Sequence, residues 1–180
     1  MNPSLPGGDA ATFDDPLAML VACHGRMRKQ LATLARLERH LPEHGCDTDA
    51  RTAARAILRY FDSAAVHHHE DEEDSVMPRI LARVPESRAV AARLAREHEE
   101  LERQWRRLRP LLSGIAAGQR AVLSPRMVLD VTGAYDAHLA SEEAELIPLA
   151  ADVLTPDELR AIGREMATRR GVAASARAPA

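Results

Sequence analysis

Two stretches of this chain place a histidine four residues ahead of a glutamate and ten ahead of a proline: His68, Glu72 and Pro78, then His138, Glu142 and Pro148, 70 residues further on. Four residues is about one helical turn, so each imidazole stacks on its carboxylate on one helix face, and the pair can reach a single metal ion. Two further histidines sit on apolar stripes. Leu17, Leu20, Val21, Met27, Leu31 and Leu34 stand three, four, seven or ten residues from His24. Ala91, Leu94, Ala95, Leu101, Trp105 and Leu108 stand at the same offsets from His98. A lone histidine on such a stripe is ordinarily a hydrogen-bonded core residue. Here four helices each place one at mid-length on the apolar face, and two of them add a carboxylate one turn on. Burying charge without a partner is costly, and a cation held between the helices removes that cost.

Four imidazoles and two carboxylates, with no thiolate, suit iron, manganese or zinc and are too nitrogen-rich for calcium or magnesium. Six side chains are many for one ion and natural for two. If both carboxylates bridge, the protein fills about eight of twelve octahedral positions, leaving room for an oxo or hydroxo bridge and about two exogenous ligands. Apolar neighbours set the register within His67-His68-His69. His68 and Glu72 align with Ile57, Phe61, Ala64 and Ala65, whereas His69 and Glu73 would put Asp62 on the buried line. His67 and His69 are therefore assigned to the helix surface or the surroundings of the site. His40, His44 and Cys46 are assigned to the surface, and Cys23 to an ordinary small residue beside His24. Tyr135, one turn before His138, is either a polar neighbour of the site or a core tyrosine.

Punctuation in the sequence supplies the elements that must hold these groups. Residues 1–14 read as a flexible arm. Asp15 and Pro16 open a helix to about Leu41, broken by the segment 42–45. A second helix starts near Asp47 or Thr48 and runs to about Arg83, with Pro78 expected to kink or tighten its last turns and Pro85 to end it. Ser87 is placed to cap a third helix, which runs through Trp105 until Pro110 bends or ends it, ahead of a loop with Gly114 and Gly118. Ser124-Pro125 opens a fourth helix to about Asp152. Thr155-Pro156-Asp157-Glu158 is a capping box for a short fifth helix over 156–169, with a disordered tail over 170–180. The chain thus divides into the arm, a bundle over 15–152, a short C-terminal helix over 153–169, and the tail. Long helices with short connections fold most simply as an all-α, antiparallel, up-down-up-down four-helix bundle.

The 180 residues are 46% hydrophobic and 28% charged, which suits one globular domain with a real core. Only 3% are aromatic, and Ala, Leu, Arg and Glu dominate, which favours helix. With 24 basic and 27 acidic residues the net charge is −3, and the two signs are interspersed, so neither nucleic acid nor an anionic membrane is indicated as a partner. Two cysteines outside any CxxC pair argue against disulfide, zinc-ribbon and thioredoxin chemistry. No apolar stretch is long enough to span a bilayer, and the acidic N-terminal stretch lacks a signal peptide's apolar core, so the expected compartment is the cytoplasm.

Together these residues resemble the hemerythrin-like, or HHE cation-binding, family over about residues 15–152. The pattern is a His in helix one (His24), then HH-x2-EE-x2-hydrophobic-Pro (His68-His69-Glu70-Asp71-Glu72-Glu73-Asp74-Ser75-Val76-Met77-Pro78). Glu97-His98 follows in helix three and His138-x3-Glu142 in helix four. The resemblance implies a four-helix bundle with a carboxylate-bridged, non-haem di-iron centre whose ligands are His24, His68, Glu72, His98, His138 and Glu142. Respiratory members carry a further His one turn after the helix-three His, and Glu102 occupies that place here. Glu102 is expected on the inward line, where it either coordinates and moves the site away from simple oxygen carriage, or pairs with Arg28, at the matching position of helix one. Glu143 is the lesser alternative to Glu142, because the respiratory members have an acid five residues after the last His. The implied function is binding or sensing of oxygen, nitric oxide, redox state or iron, with a small diatomic or anionic ligand at the centre. Two alternatives stand beside it. One is a di-iron enzyme turning over peroxide or nitric oxide or donating iron for iron–sulfur repair; the other is a zinc- or manganese-stabilised interaction module.

Overall fold

The computed structural model describes residues 12–119 and 122–172. The expected arm falls mainly on residues 1–11 and the expected tail mainly on 173–180, both outside the described residues. Helix α1 is Pro16–His44; Asp15 caps it by accepting from the Ala18 amide. Helix α2, residues 48–83, joins three α-helical stretches, Thr48–Arg59, Ala65–Glu70 and Met77–Arg83, through π turns at Tyr60–Ala64 and Asp71–Val76. Helix α3 is Arg88–Ala116. Helix α4, residues 125–153, consists of Pro125–Ser141, a π turn at Glu142–Leu146 and Ile147–Val153. Helix α5 is Pro156–Arg169, opened by the Thr155/Glu158 capping box. Around the bundle, α1 packs on α2 and α4, and α3 packs on the same two, so helices adjacent in sequence are adjacent in space. This is a hemerythrin-like all-α bundle with a fifth helix.

Two of the three π turns among the described residues lie just ahead of prolines. Pro78 and Pro148 have no N–H to give and their rings crowd the carbonyl four residues back; a turn widened by one residue relieves both problems. Pro78 was expected to kink or tighten α2; the turn before it is widened, not tightened. Widening keeps positions four apart on one line, as in Glu72, Val76 and Ile80 and again in Glu142, Leu146 and Ala150, all of them buried. Neither Pro42 nor Pro110 ends its helix: each lies inside it, on an exposed face. In α3 the apolar seam continues through Leu108, Leu112 and Ile115, all fully buried, and this packing carries the helix past Pro110 and Gly114. Ser87 precedes α3 but does not cap it, since its hydroxyl donates to the Val84 carbonyl.

Two apolar clusters fill the interior, one including Met27, Ala65, Leu101 and Leu139 and the other including Leu20, Val76, Leu94 and Leu146. His24, His68, His98 and Glu142 each fall, in sequence, between a member of one cluster and a member of the other. The site is therefore a polar layer between two dry ones. Helix α5 closes the second cluster with Ile162 and Met166. It is fastened by Arg169 and Arg170, which bond the fully buried Asp71 at 2.9 and 2.6 Å. Arg170, the first residue of the expected tail, is thus held in place.

Gly163 of α5 permits this closure. A Cβ there would stand 1.9 Å from the Phe13 carbonyl oxygen, a backbone atom, whereas one at Gly133 of α4 would meet nothing within 4 Å. Gly163→Ala is accordingly expected to destabilise by about 1–3 kcal/mol through overpacking, and Gly133→Ala to stabilise by about 0.4–1 kcal/mol through chain entropy. Thermal melts of the two variants should shift in opposite directions.

Candidate metal centre

Six side chains converge between the two clusters. His24 comes from α1, His68 and Glu72 from α2, His98 from α3, and His138 and Glu142 from α4; all six are buried. The imidazoles form two edge-to-face pairs, His24 with His68 at 4.9 Å between ring centres and His98 with His138 at 4.6 Å. The carboxylates lie across both pairs. Glu142 Oε2 approaches the Nε2 atoms of His24 at 3.2 Å and His68 at 3.8 Å, while its Oε1 approaches those of His98 at 3.2 Å and His138 at 2.7 Å. Glu72 does the same, with Oε1 3.4 Å from His68 Nε2 and Oε2 3.4 Å from His98 Nε2. Ligand atoms within 4.8 Å of one another therefore fall into two sets of four, His24, His68, Glu72 and Glu142, and Glu72, His98, His138 and Glu142, with both carboxylates common to the two.

A second layer of acids aims the rings. His24 Nδ1 lies 2.9 Å from Glu143, His98 Nδ1 2.5 Å from Glu73 and His138 Nδ1 2.9 Å from Glu97. Each carboxylate accepts the Nδ1–H and leaves Nε2 turned inward, the arrangement that fixes tautomer and orientation for metal binding. Glu143 is held in turn by both Arg28 Nη atoms, at 2.7 and 3.0 Å, and Glu97 by Arg93 at 2.8 Å. The sequence offered a signal for these roles, an acid adjacent in the chain to a buried ligand-type residue in Glu72-Glu73, Glu97-His98 and Glu142-Glu143. Glu143 thus supports His24 from outside the cluster.

Charge within the layer is uneven. Burial and the neighbouring Glu142 carboxylate push Glu72 well above the ordinary carboxylate range. Burial would raise Glu142 too, but the imidazoles of His138, His24, His68 and His98 gathered around it hold it well below that range. His68 is lowered by burial. His98, despite burial, is raised to about 11 by Glu142, Glu72 and Glu73.

The donor set fits a cation. His24 Nε2, both nitrogens of His68, both oxygens of Glu72, His138 Nε2 and Glu142 Oε2 are buried without a hydrogen-bond partner, their mutual approaches lacking hydrogen-bond geometry. Buried polar atoms are nearly always satisfied, and so many orphans facing one another call for a positive centre. No thiolate joins them: Cys23 is buried beside Arg26, 2.8 Å from Nη2.

One expectation is corrected. Glu102 is exposed and pairs with Arg106 at 3.6 Å, away from the cluster. The seam of α3 runs Leu94, His98, Leu101, Trp105, Leu108, alternating steps of four and three, and a second step of four after His98 carries Glu102 about 40° further off the seam. Arg28 is taken by Glu143, not by Glu102. Glu102→Gln is therefore expected to leave metal content and spectrum unchanged, which metal analysis of the purified variant checks. Of the two places expected for His69, the structure gives the surroundings of the site: its Nε2 is buried and its ring stacks on His98 at 4.1 Å. Tyr135 packs among core rings, 5.2 Å from Phe61, and burial raises it. His40 bonds Asp47 at 3.0 Å, outside the site.

Residues 15–150 match the Hemerythrin HHE cation binding domain family. The chain belongs to that family. An uncharacterized protein of Haemophilus influenzae is 31% identical over 162 residues, covering 90% of this chain and 94% of its own length. The HHE match and the His/Glu cluster together point to a metal site in the bundle core. Among the described residues no helix is long and apolar enough to cross a membrane.

Proposed function

We propose that this HHE domain holds two iron ions and binds or senses a small exogenous ligand such as oxygen or nitric oxide. His24 and His68 would hold one ion and His98 and His138 the other, with Glu72 and Glu142 bridging. One observation carries the reading: each of the two buried carboxylates turns one oxygen to each imidazole pair. A single ion would need only one of those pairs. When bound, iron supplies a redox-active centre with positions left for a ligand. The chain's own part is to orient the four Nε2 atoms through Glu143, Glu73 and Glu97, to neutralise the ions with two buried acids, and to keep water out with an apolar cluster on either side.

The test is anaerobic loading followed by metal analysis and exposure to oxygen. About two irons per chain and near-ultraviolet charge-transfer bands after oxygen support the reading. A single iron, or a colourless zinc form that cannot be exchanged for iron, would overturn it. Sustained consumption of peroxide or nitric oxide over many cycles would move the function from sensing to catalysis.

A further inference from the structure

We propose that His69 is a further metal-binding side chain, completing with His98 and His138 a set of three imidazoles at one of the two ion positions. This rests on the two-ion reading above. Helix α2 packs between α1 and α3, so neighbouring residues on its inner side face different partners. His68 meets His24 of α1, their rings 4.9 Å apart, while His69 lies against His98 of α3, 4.1 Å between centres and only 16° between planes. About 100° separates consecutive residues on a helix, which lets two adjacent histidines serve two adjacent ions.

Three observations separate this from an ordinary core histidine. One nitrogen each of His69, His98 and His138 lie within 4.8 Å of one another. His98 and His138 have their Nδ1 atoms engaged by Glu73 and Glu97, so Nε2 is what each has left to offer. Finally, His69 Nε2 is itself buried with no hydrogen-bond partner, whereas the neighbouring His67 bonds Glu70 at 3.1 Å. A histidine kept for packing alone would leave that nitrogen unsatisfied at a cost.

The consequence is asymmetry. Without His69 the two positions are equivalent, each with two imidazoles and a share of both carboxylates. With it, the His98–His138 position has three imidazoles and the His24–His68 position two.

The full chain, titrated anaerobically with ferrous iron, decides the matter. In His69→Ala one ion should bind as in the wild type and the other about tenfold more weakly or worse. Free imidazole, which fits the space the side chain vacates, should restore the weakened ion. His67→Ala should change neither. Wild-type affinity for both ions in His69→Ala overturns the proposal, and so does a loss that imidazole fails to restore. If the wild type takes only one ion, the two-ion reading fails on its own, and His69 is judged on that ion. Retained affinity in His69→Ala then overturns its role; weakening that imidazole reverses upholds it.

Discussion

Glu142→Ala is expected to abolish binding of both ions together. The Glu142 carboxylate is the one group that all four inward imidazoles approach, His24 and His68 through Oε2 and His98 and His138 through Oε1. Its loss takes a donor from each set of four and removes one of the two bridges, leaving Glu72 alone to balance the ions. Glu143→Ala provides the contrast. Glu143 supports a single ring, His24, so its removal should weaken the ion at His24 and His68 by about 10–100-fold and spare the other. Metal per chain after gel filtration reads both outcomes, and Glu142→Gln controls for packing because it keeps the side chain's shape. Two tightly bound ions in Glu142→Gln would contradict the bridging role. Glu72 and Glu142 differ from each other in the metal-free protein. Glu72→Gln should be better tolerated than Glu142→Gln, since burial and the Glu142 carboxylate push Glu72 up whereas the imidazoles around Glu142 hold it down.

Much of this site was legible before any coordinates. A His–Glu pair one turn apart, repeated after 70 residues with a proline at the same offset, fixes which face of α2 and α4 looks inward, and apolar spacing places His24 and His98. Helix starts were legible where a side chain caps them, at Asp15, Ser124 and Thr155. What spacing could not give was the drift of the seam. Treating every step of four as inward put Glu102 in the core, when α3 alternates four and three and keeps Leu101 there. In α2 and α4 the opposite holds, because π turns beside Pro78 and Pro148 let steps of four stay aligned. The same one-line view of a helix hid His69. A bundle helix contacts two neighbours, so its inner face is wide enough for adjacent residues to point into the site, and only the packing of α2 between α1 and α3 shows it.

Removing the metal is expected to lower the melting temperature substantially, and by more as pH rises. An ion present at a thousand times its dissociation constant stabilises the folded chain by about 4 kcal/mol, worth about 8–16 °C for a domain of this size. The orphaned nitrogens and oxygens around Glu72 and Glu142 make the metal-free layer the weak plane between two apolar clusters. The pH dependence comes from His98, which the surrounding carboxylates raise from 6.5 to about 11 in the metal-free site. Its proton stabilises that form fully below the unfolded value of 6.5, and the benefit declines as pH rises towards 11. Metal binding expels the same proton, so the loaded form does not share this decline, and the ion's affinity grows with pH. Melts of loaded and chelator-stripped protein, run in parallel from pH 6.5 to about 8.5, should therefore separate further at each step upward. Coincident melts would mean that no ion completes the core. A gap that stays constant as pH rises would mean that His98 keeps its proton when the metal binds and is not one of its ligands.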